Sequence, residues 1–181
     1  LISVNSFSQS VGDYRSAMSG HWLKDDIWER YNGTIWVAVT IDPASTTNVT
    51  IRDGHRVIVD KNNSDCNNLF VETGAVLEVT DANGTMRITG HLTVNGIITS
   101  GSKKPFNFVG SNSTTIYLDG TGFIDNVAFS VEGNITVKSS ASLTFVNDTT
   151  LLANVTVTNN GNISCNNLYG SNVTTSIWTN T

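Results

Sequence analysis

Three histidines are the first side chains to consider for chemistry, because imidazole serves both as a metal ligand and as a general base. They are His21, His55 and His91. None lies at a ligand spacing from another His or Cys, so the sequence gives little support to a zinc site. His55 and His91 each follow a glycine between two predicted strands, and we expect them at equivalent, exposed corners of the fold. The sequence contains no nucleophile elbow, zinc-protease helix or phosphate-binding loop motif.

Acidic side chains are the second candidates, because polysaccharide lyases and hydrolases use clustered aspartates beside Arg or Lys. Asp53 and Asp60 have basic neighbours in sequence, whereas Asp119 and Asp125 lie far along the chain. Sequence alone does not bring two of these carboxylates to the separation of roughly 5–9 Å that glycoside hydrolysis uses. We therefore assign no catalytic, metal-binding or cofactor-binding residue, and we predict that the chain is not an enzyme.

Aromatic rings could bind sugars by stacking against them. The candidates, each with acidic residues elsewhere on the chain as potential hydrogen-bond partners, are Trp22, Trp36, Tyr117 and Tyr169. Surface glycans are the partner that such rings would select. The alternative interpretation is that the tryptophans near the start of the chain are core residues, and we favour it for that segment.

Asparagine side chains are candidates for glycosylation wherever Ser or Thr follows two residues later. Such motifs are frequent here because Asn, Ser and Thr are abundant, and most are expected to arise by chance. We take Asn83, Asn134 and Asn154 as the candidate sites.

The two cysteines each begin the same short sequence motif. Cys66 and Cys165 are each followed by Asn-Asn-Leu and then an aromatic residue. Equivalent words in a repeating fold occupy equivalent places in different repeats. Several repeats between the two thiols would exceed the ~7 Å limit between Cα atoms of a disulfide. We therefore predict two free, buried thiols, and an intermolecular bridge is the less favoured alternative.

Composition excludes several classes of protein. The chain has 181 residues, with 10 Lys and Arg against 15 Asp and Glu, and a formal net charge of -5. Because cations are so few, the chain is a poor binder of nucleic acid. No apolar run approaches the roughly 18 residues of a membrane span. Val, Ile and Leu are too frequent for a disordered chain, and helix formers are scarce, so the composition predicts a β-rich protein.

Short β-branched words separated by Gly, Asn and Ser fill the chain from Asn48 onward. Residues 69–71 match residues 86–88, and residues 135–137 match residues 155–157, which indicates a repeat of about 20 residues. Two or three short strands with corners in each repeat are typical of a right-handed parallel β-helix, a form of β-solenoid.

The predicted fold class is therefore all-β. We expect a right-handed parallel β-helix over residues 47–181 and an N-terminal Trp-rich cap over residues 1–46, since a solenoid end exposes apolar surface and unpaired edges. Within the cap, residues 23–30 are expected to form a helical turn. A β-sandwich is the competing fold, but it prefers longer strands and turns every ~8–12 residues.

The low charge content has a cause in such a fold. Equivalent positions of neighbouring coils lie ~4.8 Å apart, where like charges would repel one another. Asparagine side chains can instead form hydrogen-bonded ladders at the corners. The candidates for these ladders are Asn67, Asn68, Asn159, Asn160, Asn166 and Asn167.

The first half of the chain resembles a known family. The residues that carry the resemblance are 14–22, 27–29, 31–33, 36–37, 49–57 and 68–71. They are similar to the opening β-helical region of large secreted or cell-surface Bacteroidetes proteins, which are typically substrates of type IX secretion. Residues 49–96 also resemble the G8 domain, a glycine-punctuated β-helical module of extracellular proteins. The resemblance covers residues 12–100. Residues 101–181 share only the general pattern of short β-branched segments separated by Gly, Asn and Ser.

The resemblance implies an extracellular or outer-surface module of a larger protein. The C-terminal sorting domain of type IX substrates is not recognisable, so we expect a fragment of a longer chain or another export route. The expected function is a non-catalytic structural or adhesive module, with surface glycans or other subunits or domains as partners. Two alternatives stay open: a carbohydrate-binding or polysaccharide-active domain, and a subunit that associates with itself end to end.

Overall fold

A computed structural model gives the structure of most of the chain. The described residues are 8–24, 26–80, 85–100, 105–108, 115–125, 128–131, 134–145, 149–152, 157–165 and 168–171. They form strands and turns and no helix, so the fold of this part of the chain is all-β. The described residues accordingly contain no helix with the length and apolar character needed to cross a membrane.

The strands of the described residues form three sheets. Sheet 1 consists of β1 (Tyr14–Ser16), β3 (Trp28–Tyr31), β4 (Trp36–Val39), β5 (Val49–Ile51), β8 (Leu69–Val71), β11 (Leu92–Val94), β14 (Thr115–Asp119), β17 (Asn134–Val137) and β20 (Val157–Asn159). Sheet 2 consists of β2 (Gly20–His21), β6 (Arg56–Val59), β9 (Val76–Val79), β12 (Ile97–Ser100), β15 (Phe123–Asp125), β18 (Ser142–Phe145) and β21 (Asn162–Cys165). Sheet 3 consists of β7 (Ser64–Cys66), β10 (Met86–Ile88), β13 (Pro105–Phe108), β16 (Ala128–Val131), β19 (Thr149–Leu152) and β22 (Leu168–Ser171).

From β5 to β22 the chain passes through sheets 1, 2 and 3 in turn, and each strand pairs in parallel with the strand three places later. This winding confirms the predicted β-solenoid. Aligned inward positions hold branched apolar residues, and Val49, Leu69 and Leu92 stack on one another with at most 2% of their surface exposed. The alternation of inward and outward residues thus builds a continuous core, while the outer faces carry polar side chains together with some exposed apolar ones, such as Ile97 and Phe123. The handedness of the winding stays a prediction.

The N-terminal segment joins the solenoid directly. Strand β1 pairs in parallel with β5, and β2 with β6, while β3 and β4 extend sheet 1 in antiparallel fashion beyond β1. Trp22 and Trp28 are buried, with ring centroids 4.9 Å apart in an edge-to-face arrangement. Trp28 Nε1 donates a hydrogen bond to the carbonyl oxygen of Trp22 over 2.8 Å. The role of this segment as a cap, and the division of the chain at residue 46, stay predictions.

The predicted helical turn over residues 23–30 is wrong for the part of it that the structure describes. Strand β3 begins at Trp28, and its register places Glu29 opposite Arg15 and Ser16 opposite Trp28. Within this strand Trp28 is buried, whereas Glu29 is partly exposed and Arg30 is exposed. Burial of Trp28 and pairing with β1 therefore outweigh the local charge pattern that favoured a helix.

The predicted alignment of sequence words is also wrong. Leu69–Val71 pairs with Leu92–Val94, whereas Met86–Ile88 lies in sheet 3 beside Ser64–Cys66. Ile135 aligns with Val157, two residues later than predicted. The strands of all three sheets have similar compositions, so a similarity between two strand sequences does not show that both strands belong to the same sheet.

The glycines at the turns between sheets are also aligned differently from the prediction. Gly54 and Gly74 both have positive φ, 74° and 80°, in equivalent turns between sheets 1 and 2. Gly90 instead precedes β11 at the corner between sheets 3 and 1, where its N–H donates to Asn67. His55 and His91 therefore lie at different corners, and the prediction that they are equivalent is wrong.

The two cysteine words occupy different places as well. Cys66 ends β7 in sheet 3, whereas Cys165 ends β21 in sheet 2. Cys66 is buried with a free thiol, as predicted, and burial, with a smaller effect of the charge of Asp65, raises its pKa well above the ordinary value. The side chain of Cys165 lies outside the described residues.

Candidate binding face on sheet 1

The outward face of sheet 1 carries two aligned rows of side chains. The corner row comprises Asp13, Asn48, Asn68, His91 and Tyr117, which directly precede the aligned inward residues Tyr14, Val49, Leu69, Leu92 and Leu118. The central row directly follows the same inward residues and comprises Arg15, Thr50, Phe70, Thr93 and Asp119. Both rows exist because outward positions of successive coils fall in register, about 4.8 Å apart.

Hydrogen bonds run along the whole corner row. Asn48 Nδ2 donates to Asp13 Oδ1 over 2.9 Å, and Asn68 Nδ2 donates to Asn48 Oδ1 over 2.8 Å. The backbone N–H of His91 donates to Asn68 Oδ1 over 2.7 Å, and the N–H of Tyr117 donates to His91 Nδ1 over 3.1 Å. Each coil is thereby bonded to the next through a side chain.

The Asn ladder that the sequence predicts is confirmed for Asn67 and Asn68, which both donate to Asn48 Oδ1. Asn160 lies at a corner with its side chain exposed, and no hydrogen bond of that side chain is found among the described residues. The side chain of Asn159 and all of Asn166 and Asn167 lie outside the described residues.

The surroundings of His91 favour the neutral form of its ring. Burial, and then the positive charge of Lys138, lowers its pKa from the ordinary value of 6.5. Nδ1 accepts the Tyr117 N–H, so the ring proton of the neutral form is on Nε2. The Tyr117 ring meets the imidazole edge to face at 4.9 Å, and Lys138 Nζ lies 5.7 Å from the centre of the Tyr117 ring.

Two of the aspartates considered in the sequence analysis, Asp119 and Asp125, lie on different sheets. Asp119 accepts hydrogen bonds from Ser140 Oγ and from the N–H of Gly120, and it pairs with Lys138 at 3.4 Å. Asp125 is in sheet 2, where Thr99 donates to it over 3.4 Å. The described residues contain no cluster of three or more His, Cys, Asp or Glu able to hold a metal ion.

Two further contacts at the N-terminal end involve histidine and an acid or a hydroxyl. His21 Nδ1 lies 2.8 Å from Asp60 Oδ2. Ser16 Oγ lies 2.8 Å from His55 Nδ1 and accepts the N–H of Arg52 over 3.0 Å. Ser16 has no exposed surface, so its hydroxyl fixes this corner and offers no nucleophile to a substrate.

A small groove opens at the N-terminal end of the face and is called here the N-terminal groove. It has a volume of about 120 Å³ and is lined by Arg15, Trp36, Asn48, Thr50, Phe70 and Glu72 among others. The guanidinium of Arg15 lies 4.4 Å from the Trp36 ring centre, and its Nε donates to Glu29 over 2.6 Å. Trp36 is thus a fixed, half-buried ring beside a charged pair, a combination suited to binding a polar ligand with one apolar face.

The four aromatic candidates for sugar stacking differ in how far their side chains are buried. Trp22 has no exposed surface, which removes it from the sugar-stacking set. Trp36 lines the N-terminal groove, and Tyr117 is 37% exposed on the same sheet, six strand spacings or roughly 29 Å away. The side chain of Tyr169 lies outside the described residues.

The glycosylation candidates cannot be placed on this face by their side chains. Asn134 begins β17, and its side chain lies outside the described residues, as do Asn83 and Asn154 entirely.

Sequence reasoning missed Arg15, Thr50 and Phe70 as groove residues. Each of these residues lies between two inward residues of its strand. This position identifies it as a groove residue only when the register between coils is known.

Comparison with known proteins identifies one family. A family model described as the G8 domain matches residues 28–149. No curated protein and no solved structure matches the chain. The matched segment begins with β3 and therefore includes Trp36 and every member of the corner row except Asp13.

Proposed function

The chain belongs to the G8 domain family, and from that premise we propose that it is a non-catalytic structural or adhesive module of a secreted or cell-surface protein. G8 domains are usually found in extracellular proteins. The observation that carries the proposal is the corner row, in which polar groups from Asp13 to Tyr117 bond to one another from coil to coil. A face whose polar groups satisfy each other is suited to holding a shape.

Ion pairs on the other sheets support the same function. Arg56 pairs with Glu78 on sheet 2, and Arg87 pairs with Asp65 at 3.4 Å on sheet 3. Each pair links adjacent coils. Exposed pairs stabilise a fold only weakly, but here they place opposite charges where like charges would repel, which keeps the coils in register.

The test of the proposal uses the purified chain and a panel of neutral and acidic polysaccharides. We expect no release of reducing ends or unsaturated sugars, and slow digestion by trypsin compared with a Leu69→Asp variant, whose core is disrupted. Polysaccharide cleavage that the Asp119→Asn variant loses would refute the non-catalytic part of the proposal. Digestion as fast as that of the variant would refute the structural part.

Glycan binding is the second candidate function, and the N-terminal groove favours it. The fixed Trp36 ring, the Arg15 guanidinium and the amide of Asn48 line one small concave site. A glycan array with the wild-type chain, Trp36→Ala and Tyr117→Ala tests this function. We expect binding that Trp36→Ala abolishes and Tyr117→Ala retains; equal binding by all three proteins would contradict it.

We further propose that the parent protein is a bacterial surface protein exported by type IX secretion. The supporting feature is the spacing of the Trp and Gly-His residues over 14–57, described above. The coding sequence that follows Thr181 in the native gene is the test. A C-terminal sorting domain is the expected result, and a membrane anchor of another kind would contradict the proposal.

A further inference from the structure

Strand β4 lies at the end of sheet 1, and β3 is its one strand neighbour among the described residues. Natural proteins protect such edges with charged residues, Pro or bulges, because the unpaired backbone groups can pair with another chain. The sequence of Trp36–Val39 is Trp-Val-Ala-Val, without charge, Pro or Gly. The edge therefore lacks the usual protection.

The backbone groups that face the open edge follow from the hairpin register. The N–H of Asn32 donates to the carbonyl oxygen of Ile35 over 3.1 Å, which makes these two residues a hydrogen-bonded pair. Such pairs alternate along an antiparallel ladder, so Val37 bonds back to β3. Trp36 and Ala38 accordingly direct their N–H and C=O groups to the open edge.

Exposed apolar side chains gather around the same hairpin. Val37 is 42% exposed, Ile35 is 59% exposed and Ile41 is 70% exposed. Val11, at 71%, lies beside the hairpin turn, since its side chain is the nearest neighbour of Gly33. A group of exposed apolar residues next to an unpaired edge is typical of an interaction surface.

We propose that this edge pairs with the same edge of a second copy of the chain, so that two solenoids join through antiparallel β4 strands across a two-fold axis. Strands β1, β3 and β4 are already antiparallel to one another, and one more antiparallel strand continues sheet 1 unchanged. The Trp36 backbone groups bond to those of Ala38 in the partner, which sets a large side chain opposite a small one. Val37 then faces its own copy.

A second copy fits this edge better than a charged partner does. All four residues of β4 are uncharged, so an identical edge meets no repulsion, whereas a charged segment would gain no ion pair from them. A two-fold arrangement also uses the same surface on both copies and closes as a dimer. This inference goes beyond the proposed function and places self-association at the N-terminal end, away from the C-terminal coil.

Sedimentation velocity of the full chain at rising concentration is the first test. We expect a monomer–dimer equilibrium that Ala38→Pro weakens by roughly thirtyfold, because it removes two hydrogen bonds across the axis. The Ala38 N–H faces the open edge, so the variant keeps the wild-type circular dichroism spectrum and Tm. The control is Ile97→Lys, which removes an exposed apolar residue on sheet 2 and leaves the dimer intact. A chain that stays monomeric, or a dimer that Ala38→Pro leaves unchanged, overturns the proposal.

Cross-linking tests the register. Facing Val37 residues form a non-hydrogen-bonded pair with Cα atoms about 4.5 Å apart, within the range of a disulfide. In a Cys165→Ser background, Val37→Cys should therefore give a disulfide-linked dimer under mild oxidation, while Val11→Cys and the background protein, whose Cys66 is buried, do not. A Val37→Cys protein that dimerises without forming the disulfide overturns the proposed pairing.

Discussion

The side chain of Asn68 donates a hydrogen bond to the side-chain oxygen of Asn48 over 2.8 Å, and its own oxygen accepts the backbone N–H of His91 over 2.7 Å. One amide thus joins three successive coils of sheet 1. Its donor and acceptor are both used, which is the arrangement in which a half-buried amide stabilises a fold.

Replacement of Asn68 by Ala should lower the stability of the fold. The substitution leaves the His91 N–H without its acceptor and removes one of the two donors to Asn48 Oδ1, and we expect a loss of about 2 kcal/mol in the free energy of unfolding. Tm should fall by about 4–8 °C in thermal unfolding. Asn160→Ala is the matched control, because that exposed corner residue should change stability by less than about 0.5 kcal/mol. Equal effects of the two substitutions would show that the ladder contributes nothing specific.

Two glycines with positive φ should respond differently to alanine. Gly54 has a φ of 74° with nothing within 4 Å of an added Cβ, whereas Gly120 has a φ of 111° and its added Cβ would overlap the Val94 carbonyl. Gly54→Ala should therefore cost about 1–2 kcal/mol from backbone strain alone. Gly120→Ala should cost at least about 3 kcal/mol, because strain and overlap add.

Urea unfolding of both glycine variants measures this difference. If Gly120→Ala does not fold, its absence from the soluble fraction beside a soluble Gly54→Ala protein gives the same ranking. A Gly54→Ala protein that is the less stable of the two would contradict the close packing of neighbouring coils at Gly120.

The fold class can be predicted from the sequence because the pattern of apolar residues in each strand identifies its inward face without reference to the other strands. Val49–Ile51 and Met86–Ile88 show the alternation of a half-buried strand without knowledge of their partners. The register is not readable, because the connections between coils differ in length. Val49, Leu69, Leu92 and Leu118 are aligned in the structure, although the spacing between them increases along the chain.

The candidate site depends on that register, so the sequence predicts it only in part. Trp36 and Tyr117 can be selected by residue type alone. Arg15 and Phe70 become neighbours of the groove only when β1, β5 and β8 are placed side by side. Ring type alone does not report burial, and the full burial of Trp22 against Trp28 agrees with the core interpretation that the sequence favours for this segment.

The stability of the fold should fall in mild acid because of His91. Its pKa in the folded chain is lowered below the ordinary value of 6.5, first by burial and then by Lys138. As the pH falls through 6.5, the unfolded chain takes up a proton before the folded chain does, so the folded state loses stability. The loss levels off below the folded pKa, and well above pH 6.5 both states are neutral at this residue.

Lys138→Ala isolates the second cause of this shift. Removal of the positive charge should raise the pKa of His91 toward 6.5 and narrow the pH range over which stability is lost. Titration of the His91 ring protons by NMR measures the pKa, and urea unfolding at several pH values measures the stability. A His91 pKa that is unchanged or lower in Lys138→Ala would contradict the assigned role of Lys138.

The two buried tryptophans of the N-terminal segment should differ in their response to phenylalanine. Trp28 Nε1 donates to the Trp22 carbonyl over 2.8 Å, whereas the buried Trp22 Nε1 has no hydrogen-bond partner among the described residues. Trp28→Phe removes a hydrogen bond and leaves a buried carbonyl unpaired, in addition to the volume lost. Trp22→Phe loses a similar volume but also removes an unsatisfied donor, which offsets part of the loss.

We therefore expect Trp28→Phe to be less stable than Trp22→Phe by about 1–3 kcal/mol, the cost of one unsatisfied buried group. Denaturant unfolding followed by circular dichroism measures both variants, and Trp36→Phe serves as the half-buried control. Because β3 connects β1 to β4, loss of Trp28 packing should also increase proteolysis in residues 26–39 before the solenoid unfolds. Equal stability of the two variants would mean that the Trp28 hydrogen bond does not hold this segment on the end of the solenoid.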